Sequence, residues 1–259
     1  MTAPRRWDLA AATLLLAMAL GALALAAAGS VARGGLEELA LLTLGLQLFI
    51  GLVCLAAAFA GRAPPALRLG LGPGRLSWLE LGALALGTVA LSHGVDALLE
   101  LAQLRDGTLM EELDRTLVGA RGRTLAITVV CLGLAPPVAE EMLCRGLVQR
   151  GLEPRLGPLP AVAFAALLFG ALHRDPAHAA AVVPLGLYLG AAAWLAGSIR
   201  AAIACHLANN LAALLGVAFA APRPEAPWAL PAAFAVAALA LGAVWRRAGS
   251  PPRLRRFDV

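Results

Sequence analysis

The sequence predicts an all-α integral membrane protein, built as a bundle of about eight transmembrane helices. Of its 259 residues, 60% are hydrophobic and only 14% are charged, whereas a soluble domain carries roughly 25% charged residues. The hydrophobic residues form long runs separated by short loops that contain arginine, which is typical of helices that cross a bilayer. This composition excludes a soluble globular enzyme, a disordered chain and a nucleic-acid-binding protein.

About 20 apolar residues cross a hydrocarbon core of ~30 Å as an α-helix, and the chain contains eight segments that reach or approach this length. The predicted spans, in chain order, are 9–28, 36–60, 79–101, 124–149, 158–173, 177–197, 199–220 and 228–245. The first begins after Arg5-Arg6 and resembles a signal peptide, but its apolar run is longer than usual for one. We therefore expect it to be retained, and the whole chain, 1–259, to form a single membrane domain.

Three segments depart from a simple spanning helix. Pro136-Pro137 removes two backbone donors from the span 124–149, so a kink or a break is expected there. The span 158–173 is about one turn too short, which indicates that it is tilted or sheltered by other helices. Residues 104–123 alternate apolar and charged positions at helical spacing, which predicts a helix lying along the membrane surface.

The basic residues predict an orientation. All 21 are arginine, and with eight spans and a cytoplasmic N-terminus thirteen of them lie on the cytoplasmic side and seven on the other. This bias follows the positive-inside rule and places both termini, including a basic tail at 246–259, in the cytoplasm. The arginine-only, Ala/Leu-rich usage is typical of a GC-rich bacterial genome, so we expect the bacterial inner membrane.

Ionisable groups are costly in hydrocarbon, at ~2.5–3.5 kcal/mol each on an insertion scale, so those inside the spans are candidate functional groups. The first cluster comprises Glu140, Glu141 and Arg145. Glu141 and Arg145 are four residues apart and share a helix face, so they are expected to form a buried ion pair. Glu140 is rotated by about 100° from Glu141 and is left unpaired, which favours it as a general base.

Two further clusters lie on later spans. Phe169 and His173 are four residues apart at the end of the short span, so the phenyl ring is expected to pack beside the imidazole. His206 and Asn210 share one face of the seventh span, where buried polar side chains need partners or water. His178, which follows His173 and a proline, is predicted to lie in a loop.

Taken together, these three clusters resemble the ordered motifs EExxxR, FxxxH and HxxxN of the CPBP family. These intramembrane glutamate-dependent endopeptidases are also known as the CAAX-protease and bacteriocin-processing, or Abi, family. The motifs here lie on separate hydrophobic segments in the family's order, and the stretch that carries them is 124–210. The resemblance predicts an intramembrane protease whose partners are the lipid bilayer and a peptide or protein substrate, possibly lipidated.

The resemblance also implies a role for each motif residue. Glu140 and His173 would activate a water molecule, and His206 and Asn210 would stabilise the oxyanion of the tetrahedral intermediate. The remaining motif residues would support the site: Glu141, Arg145 and Phe169. No cofactor is implied. Water would reach the site through a polar cavity between the helices.

Other readings of the same residues stay open. The sequence lacks the HExxH, GxSxG and GxGD signatures of other membrane proteases. A zinc site built from Glu140, His173 and His206 is the alternative enzyme, because His₂Glu is a known catalytic zinc ligand set. A catalytically silent membrane scaffold or immunity protein would keep the same residues in structural roles.

A transporter is the third class. His93, Asp96 and Glu100 share one face of the third span, as in a proton relay, although no inverted repeat supports transport. The alternative interpretation is that they mark the last two turns of that helix, where it reaches the interface.

Overall fold

The computed structural model describes residues 35–60, 63–173, 175–220 and 229–249. These ranges contain helices and no strand. The helices are α1 (Gly35–Phe59), α2 (Pro65–Arg68), α3 (Trp78–Leu101), α4 (Leu109–Leu117), α5 (Gly122–Leu156), α6 (Pro158–Ala171), α7 (Pro176–Ala196), α8 (Ile199–Ala218) and α9 (Ala229–Ala248). Six of them, α1, α3, α5, α7, α8 and α9, are long and apolar enough to cross a membrane, and α6 is a shorter apolar helix.

The predicted all-helical membrane fold is therefore confirmed, with eight as an approximate count of spans. The first predicted span, 9–28, lies outside the described residues, and so does the question of its retention. The tail 246–259 is described only as far as residue 249. Within the amphipathic segment 104–123, α4 covers Leu109–Leu117, and the last two residues already belong to α5. Thr108 caps α4, because its side chain accepts the Glu111 N–H.

Side-chain caps account for several helix starts. Ser77 and Glu80 form a reciprocal capping box at the start of α3, a pairing that satisfies two otherwise free backbone donors. Asp175 accepts the N–H groups of Ala177 and His178 at the start of α7. His178 thus lies in the first turn of α7, and its predicted loop position is wrong because the Asp175 cap starts the helix earlier.

The predicted kink or break at Pro136-Pro137 takes the form of a change in helical pitch. α5 runs on as helix from Gly122 to Leu156, but residues Val129–Leu134 just before the prolines are wound as a π-helix. In this segment the Ala135 N–H donates to the Val130 carbonyl, five residues back. A wider turn of this kind is common at functional sites.

The middle of the bundle is formed by α5, α7 and α8, with α6 packed against α5 and α7. Small residues bring α6 and α7 close together: a Cβ on Gly186 of α7 would lie 3.0 Å from Ala166 Cα, and one on Gly170 of α6 would lie 2.6 Å from a Val183 methyl. The α6 helix has 14 residues and is therefore about 21 Å long. Half of it is buried by its neighbours, in agreement with the prediction that this short span is sheltered.

Candidate active site

The two motif glutamates lie in a short α-helical stretch of α5, Ala135–Glu141, that has π-helical turns on both sides. The second π segment, Met142–Gln149, closes with the Arg150 N–H donating to the Arg145 carbonyl. Glu141 is fully buried, whereas Glu140 is half-buried. Helix phase therefore separates the two carboxylates, as the spacing predicts.

The Glu141–Arg145 ion pair is present and is buried inside the bundle. Arg145 Nη1 lies 2.7 Å from Glu141 Oε1, and Arg145 Nη2 donates to the Gly186 carbonyl of α7 at 2.7 Å. The guanidinium carbon also lies 4.9 Å above the centre of the Phe169 ring of α6, a cation–π contact. Arg145 thereby joins α5, α6 and α7.

His206 of α8 shares the Glu141 carboxylate with Arg145. Its Nδ1 lies 2.9 Å from Glu141 Oε1, and the ring is 4% exposed. Because an ionised carboxylate only accepts hydrogen bonds, Nδ1 carries a proton in this contact and Nε2 is the atom left for other partners. The sequence predicted only Arg145 as the partner of Glu141. The Glu141 carboxylate also orients the imidazole of His206.

Phe169 lies between the two motif histidines. Its ring centre is 5.1 Å from that of His173 and 5.5 Å from that of His206, with edge-to-face geometry in both cases. Phe169 itself is 1% exposed. This buried ring holds the two imidazoles relative to each other. The sequence predicted its contact with His173 and did not predict its contact with His206.

His173 follows α6 and is half-buried. Its Nδ1 lies 2.8 Å from the Phe169 carbonyl, so Nδ1 donates its hydrogen and the neutral ring presents Nε2 as an acceptor. A neutral imidazole that presents Nε2 in this way is suited to act as a proton acceptor.

Glu140 has a partner that the sequence motifs did not include. Gln47, in the middle of α1, donates from Nε2 to Glu140 Oε1 at 2.8 Å. Among the described residues, the bond from Gln47 is the hydrogen bond that Glu140 makes. His206 lies close enough to interact with Glu140 by charge, but neither His206 nor His173 forms a direct hydrogen bond with it. Gln47 was detectable as the only amide side chain in the apolar run 36–60, since such groups are costly in hydrocarbon.

Asn210 lies one turn beyond His206 and donates from Nδ2 to the Leu132 carbonyl of α5 at 3.1 Å. This carbonyl would accept from residue 136 in an α-helix and from residue 137 in a π-helix, and both residues are prolines without an N–H. Asn210 therefore replaces a backbone donor that the two prolines remove. An amide NH₂ has two hydrogens, so one remains for another acceptor.

The other polar clusters account for the residues outside the motifs. His178 packs edge-to-face on His173, with 4.5 Å between ring centres. The three residues that the sequence places on one face of α3 have different partners. His93 is exposed and bonds the Val89 carbonyl of its own helix, while Asp96 and Glu100 pair with Arg105 just beyond the end of α3. These pairs fit the interpretation that the three residues mark the last two turns of that helix.

The zinc alternative stays a prediction. In the described part of the chain, no group of three or more His, Cys, Asp or Glu side chains is arranged to hold a metal ion. His206 bonds Glu141 through Nδ1, which leaves Nε2 for another partner.

A carboxylate, two imidazoles and a carboxamide held inside an apolar helical bundle are a set suited to hydrolysis within a membrane. The family model described as type II CAAX prenyl endopeptidase, Rce1-like, matches residues 122–212. This match, which covers α5 to most of α8, confirms the resemblance to the CPBP family and supports an intramembrane protease. No curated protein and no solved structure matches the chain.

Proposed function

We propose that this protein is an intramembrane endopeptidase in which Glu140 and His173 activate a water molecule that hydrolyses a peptide bond. The proposal rests above all on the continuous contact from Arg145 through Glu141 to His206 and, by way of Phe169, to His173. This network fixes side chains from three helices at one place in the bundle. Fixed polar groups of this kind lower a reaction barrier because they need little reorganisation.

The chemistry of the water-activating pair follows from the hydrogen bonds of the two residues. Glu140, as a carboxylate, would take a proton from water, and His173 Nε2 would accept the hydrogen bond of the second O–H. The water oxygen then bonds to the scissile carbonyl carbon and forms a tetrahedral oxyanion. When the C–N bond breaks, Glu140 returns its proton to the leaving amine, and the other product is a carboxylic acid.

The oxyanion would lie near His206 and Asn210. Since His206 Nδ1 donates to Glu141, Nε2 donates to an oxyanion only when the ring carries both protons and is positively charged. The buried Glu141 carboxylate supplies the negative charge that such a cation requires. Asn210 would contribute the amide hydrogen that the Leu132 carbonyl leaves unused.

The substrate class proposed is a membrane-associated peptide or protein, possibly lipidated. A multi-pass membrane location follows from the apolar helices. We further propose that the protein lies in the bacterial inner membrane with both termini in the cytoplasm. This proposal rests on the distribution of arginine between the loops and on the arginine-only, Ala/Leu-rich composition of the chain.

The deciding experiment compares peptides released from membranes of cells that express the wild type or Glu140→Gln at equal levels. The proposal expects a set of peptides that the wild type releases and Glu140→Gln does not. Equal release from both would refute the assignment of the base and favour the scaffold reading. Cleavage that persists in strong chelators would exclude the zinc alternative, whereas loss on chelation with recovery on adding zinc would support it.

A further inference from the structure

Gln47 combines three properties that are unusual for a residue of α1. It is 6% exposed, its Nε2 bonds the proposed base Glu140, and its Oε1 is buried without a hydrogen-bond partner among the described residues. On other faces of the same helix, Leu48 and Leu52 are each 65% exposed and are suited to lipid. The amide is therefore turned inward, toward α5.

The orientation of the amide is determined by charge. An ionised Glu140 carboxylate accepts hydrogen bonds and cannot donate them, so the NH₂ group faces Glu140 and Oε1 points elsewhere. A buried amide oxygen without a donor is destabilising, because it has lost its hydrogen bonds to water and gained none in return. In a polar site that admits water for hydrolysis, a water molecule is the donor available to satisfy it.

We propose that Gln47 Oε1 binds the attacking water together with Glu140 and so orients it. This inference rests on the proposed function. Before the reaction, one O–H of the water would donate to Glu140 and the other to Gln47, which leaves an oxygen lone pair for the scissile carbonyl. When Glu140 removes the first proton, the second O–H would turn from Gln47 Oε1 to His173 Nε2, so that each O–H has one acceptor at every stage.

In this step Gln47 neither gains nor loses a proton. The proton removed from water goes to Glu140 and later to the leaving amine, so the balance of the hydrolysis is unchanged. Gln47 is thus a catalytic residue contributed by α1, a helix that lies outside the matched residues 122–212. Its bond to Glu140 also joins α1 to α5, and the experiment must separate this structural role from the catalytic one.

The first measurement needs no substrate. Water-edited solid-state NMR on the full chain in bilayers, with labelled glutamine, reports water next to the side-chain carbonyl carbons. The chain has three glutamines, Gln47, Gln103 and Gln149; the signal lost in Gln47→Leu identifies Gln47, and the exposed Gln103 is the positive control. We expect rapid magnetisation transfer from water to Gln47. No transfer would overturn the inference whatever the protein's activity.

The second measurement is kinetic and uses a peptide that the wild type releases and Glu140→Gln does not. Gln47→Leu is expected to lower kcat by about 10²-fold with KM unchanged, because a misplaced water reacts slowly. Thr43→Val is the matched control: this residue lies one turn earlier in α1 and bonds only its own helix, at the Leu39 carbonyl. An unchanged kcat in Gln47→Leu, with lower thermal stability, would assign Gln47 to helix packing and overturn the inference.

A third variant gives a readout that packing alone does not change. In Gln47→Glu, two carboxyl groups face each other, the new one at position 47 and that of Glu140. They can form a hydrogen bond like that of the amide only while one of them is protonated and donates to the other. Cleavage is therefore expected to recover on the acidic side and to fall toward neutral pH, unlike that of Gln47→Leu. If Glu140→Gln itself remains active, the proposed function fails; if it is inactive while Gln47→Leu and Gln47→Glu match the wild type, only this inference fails.

Discussion

The inner helices and the helices that flank them bury different shares of their residues. In the most apolar stretches of α5 and α7, 56% of the residues are buried inside the protein, and in α8 39%, against 28% in α3, 22% in α1 and 11% in α9. All of these helices are apolar enough to cross a membrane. The difference therefore lies in how far the rest of the protein covers them, since the described residues leave most of the surface of the flanking helices uncovered.

The buried polar groups follow the same division. Glu141, Arg145 and Gln149 of α5 are each at most 2% exposed, and each bonds a neighbouring helix or a neighbouring residue of α5. Unpaired charges are expensive in such an interior, so the inner helices are joined by polar contacts whose loss is costly. Two flanking helices also carry a buried polar side chain: Thr88 of α3 bonds its own helix, whereas Gln47 of α1 bonds Glu140 of the inner group.

The largest expected effect comes from breaking the inner ion pair. Arg145→Leu leaves the buried Glu141 carboxylate without its cation, so we expect the free energy of unfolding to fall by about 3–5 kcal/mol. Thermal unfolding in detergent and the amount of protein in membranes measure this loss. The matched control, Arg246→Leu, removes an exposed arginine at the end of α9 and is expected to change stability little.

A second substitution tests whether the loss comes from the unpaired carboxylate. Adding Glu141→Gln to Arg145→Leu removes the uncompensated charge, so part of the stability is expected to return. If the double variant is no more stable than Arg145→Leu, the contacts of the guanidinium with Gly186 and Phe169 outweigh the ion pair.

A smaller effect is expected from separating α6 and α7. A Cβ on Gly186 would lie 3.0 Å from Ala166 Cα and 3.3 Å from its carbonyl oxygen, both backbone atoms. Gly186→Ala is therefore expected to lower stability by about 1–3 kcal/mol. Gly216→Ala in α8, where the new methyl would have no atom of another described helix within 4 Å, is the control and should be neutral or stabilising by up to about 1 kcal/mol. Equal melting temperatures for the two variants would contradict the close approach of α6 and α7.

The contact between Asn210 and α5 should contribute less. Asn210→Ala leaves the half-buried Leu132 carbonyl without a donor, and we expect a loss of about 1 kcal/mol. Pro136→Ala and Pro137→Ala together return both backbone N–H groups that could reach this carbonyl, so the same Asn210→Ala substitution should cost less in that background. A double-mutant cycle on thermal stability measures the coupling. Additive effects would mean that Asn210 does not substitute for the missing proline donor.

The sequence predicted most helices of the described part of the chain, because long apolar runs indicate spans without reference to tertiary structure. It also predicted the Glu141–Arg145 pair and the Phe169–His173 contact, since both lie within one helix or at its end and follow from a spacing of four residues. The roles of Glu140, His173, His206 and Asn210 in catalysis remain predictions.

Apolar runs and residue spacing did not predict the contacts between helices. The bonds of Gln47 to Glu140, of His206 to Glu141 and of Asn210 to Leu132 join residues 93, 65 and 78 positions apart. Periodicity shows which face a residue occupies and gives no information on which helix meets that face. Pro136 carried a partial signal, because a proline inside a span leaves a carbonyl that some donor has to satisfy.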